Sequence, residues 1–591
     1  MSRFVLLPTL VFVLLGPAVG AAAQADSAAA SRAAREAQAR FERDRRGLLP
    51  VTRANGAGGS CDEELGRICL RLGESSDWWP GPEPDGLVEA REVLLSAFAA
   101  AAVAAGGDPW LLGQRVFYLG EAGRWDQALA LATACGLADG VWWCDALRGL
   151  ALHELSRYPP AERAFAQALD RMPPDEADGW RDPSPLFDGE GRSFWGSLDQ
   201  EQRAAEAERL WAYADPLFLV SGNDRWTAHL ARRTMARIRT DARNGYGLVW
   251  GRDLEELLIR YGWERGWERQ EVSGSIIGEP LGSIIGHHHP YTRPFVPPGR
   301  AWREPGGAEA NAWNPGSRPE ARTGYAPAYA PVLLPAEAQI AVLPRGDRVV
   351  VAGAISLPSD TTYHALHEHE RLPGPADVRA RPDESGLFLL TLDGAELHAA
   401  RGSAGKDALL LEAPAGDYLL SMEVWSPTLG RAGRIRRSVR APPVPRDVPT
   451  LSDLLVAHAT EPDPASAEEL LPNLLTELAA DPGDTLRVGW ELHGLGWRDE
   501  TVRYRLELSA GAGGVLRRAG RWLRLVGEPD RVALEWEEQG PSQPGVLFRS
   551  VLLALPPALN AGVHRLRLEV STAGRTVIMS DRELLVRAAR R

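Results

Sequence analysis

Lysine is almost absent from this chain of 591 residues: Lys406 is the only one, and arginine supplies the rest of the positive charge. We attribute this imbalance to GC-rich codon usage rather than to chemistry. Basic residues number 66 and acidic residues 79, which gives a formal net charge of −13. Because binding to nucleic acid needs a concentrated basic surface, this composition argues against a nucleic-acid partner.

Long hydrophobic runs are also missing beyond the N-terminus, so we predict that no segment spans a membrane. Residues Met1–Ala25 have the pattern of a secretory signal peptide, with Arg3 followed by the apolar run Phe4–Leu15 and the A-x-A cleavage site Ala23–Ala25. No cysteine follows the apolar run, which disfavours a lipid-anchored protein. We therefore predict a periplasmic or secreted protein that is cleaved after Ala25.

Cysteine is scarce, and the four residues fall into two close pairs, Cys61 with Cys69 and Cys135 with Cys144. An even number of cysteines in an exported chain favours disulfide bonds. Zinc sites usually need spacings such as C-x2-C, which neither pair has. Free thiols are the remaining alternative. We predict two disulfides, each closing a short loop.

Recognisable catalytic motifs are missing as well. The chain has no G-x-S-x-G, no H-E-x-x-H, and no G-x-G-x-x-G after a predicted strand. These are the local signatures of common hydrolases, zinc proteases and dinucleotide-binding enzymes. We therefore expect no bound cofactor and favour a protein that is not an enzyme.

The sharpest local feature is the histidine run His287, His288 and His289. Imidazoles bind Zn²⁺, Cu²⁺ or Ni²⁺, but three adjacent side chains rarely reach one metal, so a site here needs another ligand from elsewhere. The alternative is that these side chains make structural hydrogen bonds in a loop. We favour the structural role and keep metal binding as the minor hypothesis.

Residues 85–179 have apolar side chains at three- and four-residue steps, which predicts amphipathic helices. Two segments align at an offset of 33 residues that pairs Trp125 with Tyr158 and Ala128 with Ala161. The second segment resembles the tetratricopeptide repeat through Gly149, Ala161, Phe165, Ala168 and Pro173. This resemblance implies paired helices that stack on their neighbours, and an interaction module rather than a reaction site.

The segment 180–298 carries a second distinctive set of residues, Trp250, Asp253, Ile259, Arg260, Tyr261 and Gly262. This set resembles the GWxTD domain, a module of exported bacterial proteins that often accompanies helical repeats and β-rich regions. The resemblance implies a Gly-Trp-x-Thr-Asp element followed by a short strand ending in an aromatic–glycine pair. Val249 and Arg252 stand where that element has its glycine and threonine. The family implies a fold-specific role for the histidine run and no catalytic chemistry.

Three local patterns give further predictions. An apolar-periodic run predicts a helix over Trp226–Ala242, with Asp224 as its N-cap. The repeated Ser-Ile-Ile-Gly at Ser275–Gly278 and Ser283–Gly286 predicts a β-hairpin. Ser452, which follows a proline-rich join, is predicted to cap a short helix.

The C-terminal half has a strand pattern. Residues 299–331 are rich in Gly, Pro and Ala and predict an irregular linker. Beyond it, short apolar runs between turns predict two antiparallel β-sandwich domains, at 332–441 and 442–591. Residues 26–84 predict a loose N-terminal segment that begins as a helix. The fold class is therefore α+β and multidomain, with helical repeats, a GWxTD-like core and two β-sandwiches.

Tryptophan, in contrast, is abundant, with 20 residues, 15 of them within the first 313 positions. The candidate clusters are Trp142 with Trp143 and Trp263 with Trp267. Tryptophans at helical spacing usually pack against a neighbouring helix, which is the interpretation that we favour. Exposed aromatic rows can instead stack on sugar rings or hold peptide ligands.

The function predicted from these patterns is that of an exported, non-enzymatic protein-interaction or scaffold protein of the bacterial cell envelope. Its partners are expected to be other envelope proteins, bound through the helical repeat. Two alternatives stay open. One is an envelope hydrolase, metal-assisted through His287–His289, and the other is a carbohydrate-binding protein.

Overall fold

The computed structural model describes residues 16–54, 63–70, 82–136, 140–272, 283–289, 292–314, 322–334, 336–357, 383–403, 408–510, 531–572 and 576–588. Contacts divide the chain into two compact units. The helical unit comprises Met1–Pro185 and Gly222–Pro290, and the sheet unit comprises Leu186–Ser221 and Tyr291–Arg591. The segment 180–298, predicted above as one domain, is thus divided between the two units.

Helices dominate the first half of the described residues. The α-helices are α1 (Gly16–Leu48), α2 (Asp85–Ala105), α3 (Pro109–Glu121), α4 (Trp125–Thr133), α5 (Val141–Glu154), α6 (Tyr158–Arg171), α7 (Pro174–Arg181), α8 (Gly189–Ser197), α9 (Gln200–Ala214), α10 (Asp224–Arg239), α11 (Arg252–Tyr261), α12 (Gly299–Arg303), α13 (Ala310–Trp313) and α14 (Ala467–Leu470). In the part of the chain described here, no helix has both the length and the apolar character needed to cross a membrane.

Strands dominate the second half, which confirms the predicted α+β organisation. The strands are β1 (Val51–Ala54), β2 (Glu63–Leu65), β3 (Ile68–Leu70), β4 (Gly266–Val272), β5 (Ser283–His287), β6 (Val332–Leu334), β7 (Glu337–Arg345), β8 (Arg348–Ser356), β9 (Glu384–Thr391), β10 (Leu397–Ser403), β11 (Ala408–Pro414), β12 (Gly416–Ser426), β13 (Arg431–Ala441), β14 (Thr450–Leu451), β15 (Leu455–His458), β16 (Ala479–Ala480), β17 (Thr485–His493), β18 (Thr501–Ala510), β19 (Arg531–Gln539), β20 (Leu547–Ala554), β21 (Gly562–Thr572) and β22 (Thr576–Val586).

The helical unit begins with α1, which contains the helix predicted within residues 26–84. Ala34 and Phe41 of α1 share a buried core with Leu94 of α2. The predicted cleavage site Ala23–Ala25 lies within the backbone range of α1. Because residues 1–15 lie outside the described residues, the signal peptide stays a prediction.

Helices α3 to α6 confirm the helical character predicted for residues 85–179. Helix α4 begins at Trp125 and α6 at Tyr158, so the offset of 33 residues in the sequence is also the spacing of two helix starts. Ala128 of α4 and Ala161 of α6 are fully buried. Such small side chains let the axes of packed helices approach closely.

Helix α10 begins earlier than predicted and has a different N-cap. The side chain of Asn223 accepts a hydrogen bond from the backbone N–H of Trp226 at 2.9 Å, so the prediction of Asp224 as the cap is wrong. A cap residue keeps extended backbone angles so that its side chain can reach the first free N–H groups. Asn223 has such angles, whereas Asp224 is already helical, and the helix ends at Arg239 rather than Ala242.

The segment before Gly262 forms helix α11, so the short strand implied by the GWxTD resemblance is wrong for this chain. Leu254, Leu257, Leu258 and Tyr261 are all buried on it. Their spacing of i, i+3, i+4 and i+7 makes one apolar stripe on a helix, whereas a strand would distribute them over both faces. Gly262, at φ +85°, ends the helix in a conformation that other residues rarely adopt.

A small sheet in the helical unit has the order β1-β4-β5. Strand β5 includes the predicted run Ser283–Gly286 and pairs antiparallel with β4, Gly266–Val272. The other predicted run, Ser275–Gly278, lies outside the described residues, so the hairpin between the two runs stays a prediction. Strands β2 and β3 form a separate hairpin.

The sheet unit contains two sandwich-like pairs of sheets. The first pair combines a sheet of order β10-β9-β12-β13-β6 with one of order β11-β8-β7. Val351 of β8, Leu389 of β9 and Met422 of β12 share the buried core between them. The neighbouring strands are antiparallel except for β13 and β6.

The second pair of sheets has strands in the order β16-β22-β21-β18-β19 in one sheet, and β14, β15 and β20 paired with β17 in the other. Trp490 of β17 is fully buried and contacts Tyr504 and Trp536 of the facing sheet.

The prediction that Ser452 caps a helix is wrong. It lies between two strands, where its Oγ accepts a hydrogen bond from the backbone N–H of Glu491, so this hydroxyl completes strand pairing.

In the described part of the segment 299–331, predicted as an irregular linker, two short helices form, α12 and α13. Trp302 of α12 is fully buried against the rings of Phe187, Phe194 and Trp195. Burial of a large aromatic side chain stabilises even a short helix, and this outweighs the low helical propensity of glycine and proline nearby.

Candidate functional site

The motif residues of the GWxTD resemblance hold the β2–β3 hairpin against α11. Asp253, in the first turn of α11, accepts hydrogen bonds from Arg67 Nε at 2.6 Å and Nη2 at 2.7 Å. These hydrogen bonds hold the pKa of the Asp253 carboxyl well below its usual value. At the other end of the helix, Arg260 and Tyr261 both donate to Glu63 of the hairpin. These residues therefore support local structure.

Trp250 and Gly262 flank α11. Trp250 is partly buried and packs against two hydrophobic clusters of the helical unit. Near Gly262, Arg232 donates from Nη1 to the backbone carbonyls of Ile259 and Arg260. Carbonyls in the last turn of a helix have no intrahelical partner, so Arg232 completes the end of α11.

His288 lies beside a buried ion pair in which Arg239 Nη1 is 2.8 Å from Glu264 Oε2. Burial alone would raise the pKa of Glu264, but Arg239 and His288 outweigh it and hold the pKa below its usual value. Burial lowers the pKa of His288 to about 4. Its ring nitrogens are buried without a hydrogen-bond partner among the described residues. His288 is thus a neutral packing residue at neutral pH.

The histidine run does not assemble a metal site in the described residues. His287 Nε2 lies 3.4 Å from Glu268 Oε1 on the neighbouring strand β4, and His289 follows β5 in an irregular segment. Across the residues that the structure describes, no group of three or more His, Cys, Asp or Glu side chains is arranged to hold a metal ion.

Cys135 and Cys144 form the predicted disulfide, with their Cα atoms 5.8 Å apart. Cys135 follows α4 and Cys144 lies in the first turn of α5, so the bond closes the connection between these helices. Cys61 lies outside the described residues, and its predicted disulfide with Cys69 of β3 therefore stays a prediction.

A cleft of about 330 Å³ opens in the helical unit next to this disulfide-closed connection. It lies where the first turns of α3 and α5 meet α1 and the end of α10. Its walls combine aromatic surface with charges of both signs, chiefly from Arg35, Trp110, Trp142, Trp143, Arg237 and Asp241. We call this feature the tryptophan cleft.

Hydrogen bonds fix two of the three indole rings. Trp110 Nε1 donates to the backbone carbonyl of Asp241 at 3.2 Å, and Trp143 Nε1 donates to that of Pro109 at 3.0 Å. The guanidinium of Arg35 lies 4.2 Å from the centroid of the Trp110 ring, a cation–π contact. Both rings are therefore held in place before any ligand arrives.

Trp142 is the least restrained of the three indoles. Its ring makes edge-to-face contacts with Trp143 at 5.7 Å and Trp180 at 6.0 Å between centroids. Its Nε1 makes no hydrogen bond within the part of the chain that is described. The side chain is only partly buried, so Trp142 offers aromatic surface and one N–H donor to the cleft.

The second tryptophan cluster read from the sequence is a packing feature. Trp267 contacts Tyr246 edge-to-face with ring centroids 4.8 Å apart. The guanidinium carbon of Arg265 lies over Trp263, 5.1 Å from the centroid of its ring. Neither ring lines the tryptophan cleft.

Helix α2 exposes apolar side chains on the side away from its core. Val93 and Val103 are 71% and 88% exposed, and Ala99 and Ala100, between them in the sequence, are exposed as well. We call these four residues the α2 surface. Sequence analysis did not single it out, because apolar residues occur all around α2 and their periodicity predicts packing only.

The charged residues of the tryptophan cleft were not predicted from the sequence either. Arg35, Arg237 and Asp241 are ordinary exposed residues of α1 and the end of α10. The sequence signal that pointed here was the adjacent pair Trp142 and Trp143. No local spacing in the sequence connects residues that lie on different helices.

Comparisons with known proteins assign no family. No protein family and no curated protein matches the chain. Among solved structures, a transglutaminase of red sea bream matches at 8% identity over 43% of this chain and 31% of that one, with a TM-score of 0.14. A putative membrane anchored protein from Corynebacterium diphtheriae matches at 11% identity over 43% and 59%, and the FN1–FN3 domains of chicken CNTN1 at 12% over 44% and 68%, both with a TM-score of 0.14. The chain thus spans about a third and about three fifths of the first two structures, and a likeness at this level assigns no activity.

Proposed function

We propose that this chain is an exported, non-enzymatic scaffold or protein-interaction protein of the bacterial cell envelope. In this proposal, α3 to α6 are a degenerate tetratricopeptide-like repeat, and the segment around Trp250–Gly262 belongs to the GWxTD class. The disulfide between Cys135 and Cys144 supports export, because disulfides persist in oxidising compartments. The signal-like segment Met1–Ala25 points the same way.

The observation that carries the proposal is the α2 surface, where apolar side chains such as Val93 and Val103 stand exposed on the helical unit. Contiguous exposed apolar residues with a polar rim mark interaction sites. Glu89 is an exposed acidic residue of the same helix, whereas Glu92 pairs with Arg124. The negative charge of Glu89 opposes binding to an anionic membrane, so a protein partner fits better.

The proposal is tested by retention of envelope proteins on the immobilised full-length mature chain, quantified by mass spectrometry. The variant Val93→Asp/Val103→Asp places charges in the α2 surface and should lose the retained partners. The matched control is Val563→Asp/Val577→Asp in the sheet unit, where the side chains are 51% and 58% exposed. Equal retention by the wild type and both variants would show that the α2 surface binds no partner.

A further inference from the structure

The tryptophan cleft is separate from the α2 surface and presents a different chemistry. Trp142 contributes a partly exposed ring that makes edge-to-face contacts with Trp143 and Trp180. The C–H groups of a pyranose ring carry partial positive charge and lie favourably against the electron-rich face of an indole. We propose that the cleft binds a neutral saccharide of one or two pyranose rings.

The polar groups of the cleft suit hydroxyl groups. The guanidinium groups of Arg35 and Arg237 only donate hydrogen bonds, and the carboxylate of Asp241 only accepts them. A sugar hydroxyl does both, so neighbouring hydroxyls of one ring satisfy donors and acceptors in the same wall. Asp108, whose Oδ1 accepts a hydrogen bond from the backbone N–H of Trp110, also lines the cleft. The two arginines and two aspartates of the walls together carry no net formal charge, which favours a neutral ligand.

The size of the cleft limits the ligand. A volume of about 330 Å³ lies at the lower end of the range for pockets that enclose small molecules. It accommodates one or two sugar rings, whereas a longer chain would extend into solvent. The positions of Trp110 and Trp143 are already fixed by hydrogen bonds, so these two rings need little ordering on binding.

A zwitterionic dipeptide is the competing ligand, since it too would meet charges of both signs. Arg35, Arg237 and Asp241 are exposed, and ion pairs between exposed groups contribute little to binding. Most of the affinity must then come from the aromatic walls. A ligand with a flat C–H face and a rim of hydroxyls uses those walls better than a dipeptide backbone does.

The experiment is saturation-transfer difference NMR on the full-length mature protein, with glucose, galactose, N-acetylglucosamine, maltose, cellobiose and the dipeptide alanyl-alanine as probes. At least one sugar should receive saturation at its ring protons. Trp142→Ala should raise the dissociation constant for that sugar about tenfold or more, which is the usual effect of removing a central aromatic anchor. Trp497→Ala, at a tryptophan of the sheet unit that is 57% exposed, is the matched control and should leave binding unchanged.

Asp241→Ala provides a second test, because this exposed side chain can be removed while its backbone carbonyl still holds Trp110. This substitution should also weaken binding of the sugar, and the melting temperature of the protein should stay unchanged. The proposal is overturned if no sugar gives a saturation-transfer signal, or if alanyl-alanine binds and the sugars do not. It is also overturned if sugar binding is unchanged in both Trp142→Ala and Asp241→Ala. Loss of protein partners at the α2 surface would leave all these results unchanged, so the two proposals fail separately.

Discussion

The ring of Phe165 on α6 lies so close to Gly149 on α5 that a methyl group on this glycine would meet it at 2.7 Å. Both residues belong to the segment that resembles a tetratricopeptide repeat. The absence of a side chain on Gly149 is what lets the two helices approach. The contact gives a direct test of how tightly this helix pair is packed.

Gly149→Ala should lower the free energy of unfolding by about 1–3 kcal/mol, because the added methyl group forces the packed helices apart. Gly179→Ala on α7 is the matched control, since a methyl group there would meet nothing within 4 Å. It should be neutral or stabilising by up to about 1 kcal/mol, as expected for alanine in a helix. Urea unfolding measures both, and similar effects of the two substitutions would contradict close packing at Gly149.

The disulfide between Cys135 and Cys144 should stabilise the helical unit by restricting the unfolded chain. The double variant Cys135→Ser/Cys144→Ser should lose about 2–3 kcal/mol of stability, as expected for a short closed loop. Urea unfolding without reductant measures this loss. With reductant present, the wild type and the variant should become equally stable, and a wild type no more stable than the variant without reductant would contradict the prediction.

Three histidines with a lowered pKa predict acid sensitivity. Burial lowers the pKa of His153 and of His288 to about 4, and that of His229 well below its usual value. As the pH falls, these histidines therefore become protonated in the unfolded chain at a higher pH than in the folded protein. Their contribution to stability is full above about pH 6.5 and is lost as the pH falls towards 4. Each histidine should contribute about 1.4 kcal/mol per pH unit across that window.

The measurement is the free energy of unfolding as a function of pH for the wild type, His153→Gln and His288→Gln. Each variant should show a shallower fall in stability between pH 6.5 and 4, because one titrating group has been removed. His458→Gln, at an exposed residue of β15, is the control and should keep the wild-type slope. Parallel curves for all four proteins would refute the histidine explanation.

In the sheet unit, Glu423 and Arg436 form an ion pair with both side chains almost completely buried. Glu423 also accepts hydrogen bonds from the backbone N–H of Leu219 and from Ser421. Glu423→Gln leaves the guanidinium without its counter-charge, so it should cost about 3 kcal/mol of stability. Thermal unfolding measures this loss.

Glu537→Gln is the control for that prediction. Glu537 pairs with Arg503 at 2.7 Å on the outer face of the second sheet pair, where the side chains are 55% and 63% exposed. Water solvates both charges there, so the substitution should change stability little. Equal losses at Glu423 and Glu537 would contradict a special role for the buried pair.

Regular spacing made much of the secondary structure predictable. In β18, alternation of polar and apolar residues from Val502 to Leu508 predicts one solvent-exposed and one buried face, and the strand has this pattern. Several errors occurred where a single residue or a resemblance carried the prediction. Asn223 and Asp224 are both good helix caps, and only their backbone angles distinguish them. The apolar spacing within α11 predicts a helix, but the family resemblance implied a strand.

The sequence by itself determined most of the helical and extended segments and the pairing of Cys135 with Cys144. These follow from the period of the apolar side chains and from the short separation of two cysteines, which are local properties. Only the tertiary structure decided the tryptophan cleft, because Arg35, Trp142 and Asp241 lie on or beside three helices that are distant in the sequence. Their meeting depends on how those helices bury their apolar faces together, and no local spacing records that arrangement.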